Sequence, residues 1–226
     1  MRINDELSKP VLVHAAKVDW VASPSAGVDR RMLFRVGGEV ARATSVVRYA
    51  PGSLFPRHTH GGGEEVVVLE GVFQDEHGDY PAGSYFRNPP GTSHVPGSKD
   101  GCTIFVRLWQ FRGEDQLQIV RQPGQGQQVE PRPGASSAAV LFKDDHEEVR
   151  LEDWQPGATI TVANPRGLEF FVLSGGLTIG SEALEPLSWG RLPAGVDLNA
   201  RVGQKGAKIW TKEAPLLHLD VCQLPG

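Results

Sequence analysis

Apolar residues in this chain fall into short runs, each closed by glycine or proline. Runs at 32–36, 43–50, 66–69 and 103–111 favour aliphatic, β-branched and aromatic residues, which fit a pleated, half-buried surface. Shorter pieces at 11–13, 18–21 and 83–86 have the same character. Between them stand Pro24-Ser-Ala-Gly27, Gly37-Gly38, Pro51-Gly52, Glu76-His-Gly-Asp79 and Asn88-Pro-Pro-Gly91, all with turn chemistry. No window carries a helical period. The pattern predicts an all-β protein.

From 121 to 137 the alternation stops. Gln122-Pro-Gly-Gln-Gly-Gln-Gln128 and Pro131-Arg-Pro-Gly-Ala-Ser-Ser137 are polar and rich in Gly, Gln and Pro, the composition of a linker. The half of the chain beyond 137 repeats the half before 121. Leu33-Phe34-Arg35 matches Leu141-Phe142-Lys143, and Pro89-Pro-Gly91 matches Pro193-Ala-Gly195. Gly101-Cys-Thr-Ile-Phe105 matches Gly206-Ala-Lys-Ile-Trp210. Gly52 and Gly71 match Gly157 and Gly176, with the same nineteen-residue step in both halves. The expectation is a duplicated β-domain: an N-terminal domain over 1–120, a linker over 121–137 and a C-terminal domain over 138–226.

Composition narrows the function classes. The 226 residues suffice for a substantial core, and 27 glycines with 17 prolines suit many tight turns. A net charge of −4 without a basic stripe argues against a nucleic-acid partner. No signal-like apolar segment opens the chain and no run approaches a membrane span, so no membrane partner is expected. Only Cys102 and Cys222 occur; two buried thiols in a reducing, cytoplasmic setting are the expectation.

The chemistry concentrates between Gly52 and His94. His58 and His60 are two apart, so on a strand both leave from one face. Gly61-Gly62-Gly63 lets the chain reverse beside that face, and Glu64 opens the next strand. His94 comes just after the Pro89-Pro-Gly91 turn. Three imidazoles and a carboxylate suit a divalent transition metal rather than calcium or magnesium. With neutral histidines the set leaves a charge of about +1 on a divalent ion, enough to polarise an oxygen ligand.

The spacing Gly52-x5-His58-x-His60-x3-Glu64-x6-Gly71, then Gly83-x5-Pro89-x-Gly91-x2-His94, resembles the two motifs of the cupin superfamily. Its wording is most similar to the ChrR cupin-like domain and also resembles acetylacetone-cleaving dioxygenase-like cupins. Ser98 departs from the Asn usual in the second motif. The resemblance is strongest over 52–94 and extends thinly over 17–112. It implies two tandem cupin barrels of the double-stranded β-helix, or jelly-roll, type. It implies His58, His60, Glu64 and His94 as ligands of one zinc, iron, manganese or nickel ion per chain, with Glu65 as the alternative carboxylate. In the second half the equivalent positions are read as Ala163, Pro165, Glu169 and Leu198, so only a carboxylate remains and no metal is expected there.

Smaller candidates lie outside the motifs. Arg107 and Trp109 alternate with Val106 and Leu108, so one pair faces the interior; if the first, it would clamp an anionic ligand. Tyr49 and Phe86 are assigned to the core, and Cys102 to inert burial. Arg166, Glu169 and Trp210 are the residues that would face a second interior. Catalytic residues are not assigned. The functional expectation is a metal-binding cupin that senses a small molecule or oxidative stress. The alternative is a non-haem, metal-dependent dioxygenase acting on a diketone or enol. Direct sigma-factor binding is not expected, since no cysteine precedes Cys102 for a second zinc cluster. Monomer and homodimer are both compatible with the sequence.

Overall fold

The computed structural model describes residues 1–225. Among them the one helical element is the 3-10 turn Ala15–Lys17, and every strand pairing is antiparallel. No helix among the described residues is long and apolar enough to cross a membrane.

The chain divides into two compact units. The first comprises Met1–Asp5, Val18–Gln125 and Leu217–Gly226, and the second Glu6–Lys17 and Gly126–Leu216. These bounds differ from the expected 1–120 and 138–226 at both ends, because short strands from each end pair outside their own half. Val11–His14 lies along Ser188–Leu192 in the second unit, and Val221 bridges to Arg112 in the first. The expected linker, 121–137, also carries strand residues. Ile119–Arg121 pairs with Tyr85–Asn88, and Gln127–Val129 pairs with Ala135–Lys143. A polar edge strand has no inward face to advertise, so it reads as loop in sequence.

Both units order their principal strands alike. In the first, Val28–Gly37, Ala41–Tyr49, Cys102–Leu108, Glu64–Asp75 and Tyr85–Asn88 are neighbours in that order. In the second the sequence is Ala135–Lys143, Glu148–Trp154, Leu198–Glu213, Leu168–Ile179 and Ser188–Leu192. The strands Glu64–Asp75 and Leu168–Ile179 have the same length, 12 residues, and the same burial at every position.

A glycine pins the register between units. Gly71, at φ +71°, lies so close to Gly101 that an added Cβ would sit 2.1 Å from its carbonyl oxygen. Gly175, at φ +73°, lies 1.9 Å from the Gly206 oxygen by the same measure. Only glycine fits either place. The partner of Gly71 is therefore Gly175, not Gly176, and the expected equivalences shift by one. His94 pairs with His58 as Leu198 pairs with Val162. Gly91 donates its N–H to the His60 carbonyl, and Gly195 donates to that of Asn164. The second-unit counterparts of His58, His60, Glu64 and His94 are thus Val162, Asn164, Leu168 and Leu198. Ala163 and Pro165 are exposed, because strand alternation turns them outward. Glu169 occupies the place of Glu65, not of Glu64.

The first core packs Val66, Val68, Ile104 and Val106 against Phe73, Tyr80 and Phe86. The Phe73 and Phe86 rings are 5.4 Å apart. Each such side chain contributes roughly 1.5–3 kcal/mol when fully buried. In the second unit Val162, Leu168 and Leu198 themselves belong to the core, beside Trp154, Phe170 and Ile209.

Candidate metal centre

A two-stranded ribbon places the histidines. His58–Thr59 pairs with Ser93–His94, putting His58 directly across from His94. His60 comes next on the same face. Glu64 opens its long strand opposite Asn88. The intervening Gly61 and Gly62 lie under the Trp109 indole, whose ring carbons stand 2.6 Å and 2.3 Å from where a Cβ would be. No larger residue lets the loop close there.

The structure brings His58, His60, Glu64 and His94 together, with one donor atom from each within 4.8 Å of all the others. The His60 and His94 Nε2 atoms are 3.2 Å apart, and Glu64 Oε2 lies 3.4 Å from the first and 3.5 Å from the second. Donors about 2.1 Å from one ion and spaced as in tetrahedral or octahedral coordination stand about 3.0–3.4 Å apart. The spacing of the His60, His94 and Glu64 donors fits an ion of that size.

The outer nitrogens of all three imidazoles are anchored, and the inward oxygen of Glu64 is steadied as well. His58 Nδ1 lies 3.1 Å from the Pro56 carbonyl oxygen, which can only accept, so Nδ1 carries the proton. His60 Nδ1 is 2.9 Å from Thr92 Oγ1. That hydroxyl already donates to the Pro89 carbonyl at 2.7 Å, so it accepts from His60. His94 Nδ1 donates to Asp75 Oδ2 at 3.0 Å. Each imidazole is thereby held with its Nε2 lone pair inward. Asn88 Nδ2 donates to Glu64 Oε2 at 3.2 Å, steadying the carboxylate. Three lone pairs and an anionic oxygen facing one point repel each other until a cation joins them, and such outer hydrogen bonds fix ligand orientation and basicity.

Burial sets the electrostatics of the cluster. It pushes His60 below the ordinary imidazole value against the opposing pull of Glu64. Burial acts likewise on His94, but the Asp75 hydrogen bond and the Glu64 charge outweigh it and its pKa rises. Burial and then the Glu64 charge push the Tyr49 phenol up.

A cavity of about 390 Å³ borders the cluster, with His58, His60 and Glu64 in its wall. Ile104, Val106 and Leu108 face it, so Val106 and Leu108 form the inward pair of their strand. Arg107 turns the other way, donating to Glu65 at 2.6 Å and to Gln110 at 2.8 Å; it clamps no ligand. Trp109 nevertheless reaches the cavity. At φ +58° it leaves the strand alternation, its N–H bonded to the Gly63 carbonyl and its carbonyl accepting from Arg42. Tyr49 belongs to both core and cavity wall.

The two carboxylates separate cleanly. Glu65 accepts from the Tyr85 hydroxyl at 2.7 Å and from Arg107, away from the cluster. Glu169 repeats this, accepting from Trp189 Nε1 at 2.8 Å. Arg166 is exposed, so Arg166, Glu169 and Trp210 do not share an interior. Cys102 and Cys222 are free, the first buried and the second half-buried. Burial pushes the Cys102 thiol up to about 11. Ser98, the departure from the motif, donates to the Val72 carbonyl at 2.7 Å and touches none of the four. Asp75, Asn88 and Thr92 hold the candidate ligands, and spacing alone does not single them out. Thr92 sits inside the second motif, and the only sequence signal for Asp75 is its place before a Glu-His-Gly turn.

Residues 8–112 match the family model described as the ChrR cupin-like domain. Over that span the chain is similar to this branch of the cupins. No curated protein sequence matches it. Among solved structures it resembles a candidate dioxygenase from Nostoc punctiforme, at 14% identity over 97% of this chain and 87% of that one, with a TM-score of 0.73. It also resembles the bacterial pirin YhhW of Escherichia coli, solved in complex with nickel(II), at 14% identity over 92% and 99% of the two chains and a TM-score of 0.67. A cupin 2 conserved barrel domain protein from Leptotrichia buccalis matches at 12% identity over 95% and 100%, with a TM-score of 0.60. At these identities the likeness is one of fold.

Proposed function

We propose that this chain is a cytoplasmic bicupin whose first barrel holds one divalent transition metal on His58, His60, Glu64 and His94 and offers it to a small molecule. The observation that carries the proposal is the convergence of three tautomer-fixed Nε2 atoms and Glu64 Oε2 beside an open cavity. Zinc, iron, manganese and nickel all suit such nitrogen-rich donors. When bound, the ion supplies Lewis acidity toward an oxygen ligand. The protein's part is to orient the donors through Pro56, Thr92, Asp75 and Asn88, to keep one negative charge at Glu64, and to surround the bound molecule with apolar wall. In this reading the protein senses a small molecule or oxidant, and the second barrel supports the first without metal.

A second reading, a metal-dependent dioxygenase for a diketone or enol, is favoured by one feature. The cavity leaves the open side of the cluster facing a space large enough for an organic substrate, so the four side chains need not close the coordination shell. The deciding experiment is metal analysis of the purified protein, then oxygen uptake after iron(II) loading with a panel of diketones and flavonols. Turnover establishes the enzyme; stoichiometric metal with no oxygen uptake on any member leaves the sensor. Full metal stoichiometry in His58→Ala would refute the ligand set.

A further inference from the structure

We infer that the cavity beside the cluster selects a singly charged oxygen chelator on an apolar body, such as an enolate or an aromatic 2-oxo acid, and rejects dianions. The inference rests on the metal reading above and adds the class of ligand. It begins with charge. A histidine that gives its lone pair to a metal is neutral, so a divalent ion with three histidines and Glu64 carries one net positive charge. A monoanionic chelator brings the ion and its four ligands to zero, beside the Asp75 carboxylate that already accepts from His94. A dianion leaves one negative charge in excess, and burying it is costly unless a cation meets it.

Among the described residues the one cation of the wall is already paired, though its buried Nε has no hydrogen-bond partner. Val47, Phe55, Ile104, Val106, Leu108 and Trp109 line the cavity, and the cationic side chain among its lining residues is Arg30. Its guanidinium is engaged by Glu39, Nη1 to Oε2 at 3.1 Å and Nη2 to Oε1 at 3.4 Å. Glu39 also lines the cavity, with a side chain 64% exposed, so this neutralised pair forms the rim. The remaining polar wall is sparse: Tyr49, Ser23 and Thr59. A volume of about 390 Å³ accommodates a ring or a branched chain beyond a chelating head, near the small end of ligand cavities.

Three probes with one head separate the contributions. Phenylpyruvate, pyruvate and 2-oxoglutarate share the 2-oxo acid and differ in an apolar body, no body and a second carboxylate. Nickel(II)-loaded protein, its metal content measured on the same sample, is titrated with each by calorimetry and by the nickel absorption spectrum. Phenylpyruvate is expected to bind at least about tenfold more tightly than either other probe, and to shift the nickel bands. The metal-free protein is expected to bind it at least about tenfold more weakly. Leu108→Lys, at a half-buried position from which a lysine can extend toward water, should move the preference toward 2-oxoglutarate. Glu39→Gln, at the exposed rim, should move it the same way by a smaller factor.

Stoichiometric nickel with 2-oxoglutarate bound as tightly as phenylpyruvate overturns the inference and leaves the metal site standing. So does a loaded protein that binds none of the three. Equal phenylpyruvate affinity with and without nickel overturns the coupling of head to metal. Absence of nickel from the protein instead defeats the reading on which the inference rests.

Discussion

The two units place different chemistry on the same four backbone positions. In the first, His58, His60, Glu64 and His94 turn donor atoms toward one point beside a cavity. In the second, Val162, Leu168 and Leu198 fill that place with core. Asn164 spends its amide on the chain instead, donating to the carbonyls of Leu192, Pro193 and Val196 and accepting from Gly167 N–H. What stays constant between units is a buried carboxylate one residue further on, Glu65 and Glu169, each bonded to an aromatic donor on the neighbouring strand. The long strand of the first unit therefore carries a scaffold acid and a site acid side by side. Only the second is exchanged for leucine when the donor set is given up.

The sharpest way to break this comparison is to write the second unit's residues into the first. The combined change His58→Val, His60→Asn, Glu64→Leu and His94→Leu should abolish metal uptake and leave a folded protein, read by elemental analysis with far-UV circular dichroism. Retained metal would show that the ion binds elsewhere. Next comes Leu168→Ala. Because Leu168 is fully buried, the cavity should cost about 2–5 kcal/mol in denaturant unfolding without altering metal content. Glu64→Ala should cost the metal-free protein much less, since it relieves a crowd of facing acceptors.

Asp75→Asn sharpens the comparison at the orienting shell. Its position in the second unit is Ile179, which has no imidazole to hold. Loss of the carboxylate that accepts from His94 should weaken metal binding about 10–100-fold, equivalent to about 1.4–2.7 kcal/mol, measured by competition with a chromophoric chelator. The smallest effect belongs to Cys102, whose counterpart by register is Ala207. Cys102→Ala should cost no more than about 1 kcal/mol and leave metal binding unchanged. With its thiol pushed up to about 11, Cys102 should resist alkylation at pH 8 in the folded protein, and rapid labelling would contradict its assignment as inert.

Much of this is legible in the residues. Strand alternation and glycine turns announce an all-β fold, and the paired motif spacing picks out the four side chains that converge. Three things are not. The register between halves misleads because the second unit has one residue fewer between Gly157 and Val162 than the first has between Gly52 and His58. The doublet Gly175-Gly176 then offers the wrong glycine, and only the close approach to Gly206 tells them apart. Asp75 stays hidden because it lies at the far end of the strand that Glu64 begins, and antiparallel pairing alone carries it back to His94. The direction of Arg107 and Trp109 stays open because alternation gives two answers. The positive φ of Trp109 breaks the rule on which either answer depends.

The central claim is that one ion sits on His58, His60, Glu64 and His94 and none in the second unit. Anomalous diffraction from crystals of zinc-loaded protein tests it most directly. The account predicts a single peak per chain, about 2.0–2.2 Å from the three Nε2 atoms and from a Glu64 oxygen. A peak bound through Nδ1, a peak on Glu65 in place of Glu64, or a second peak near Asn164 would contradict it.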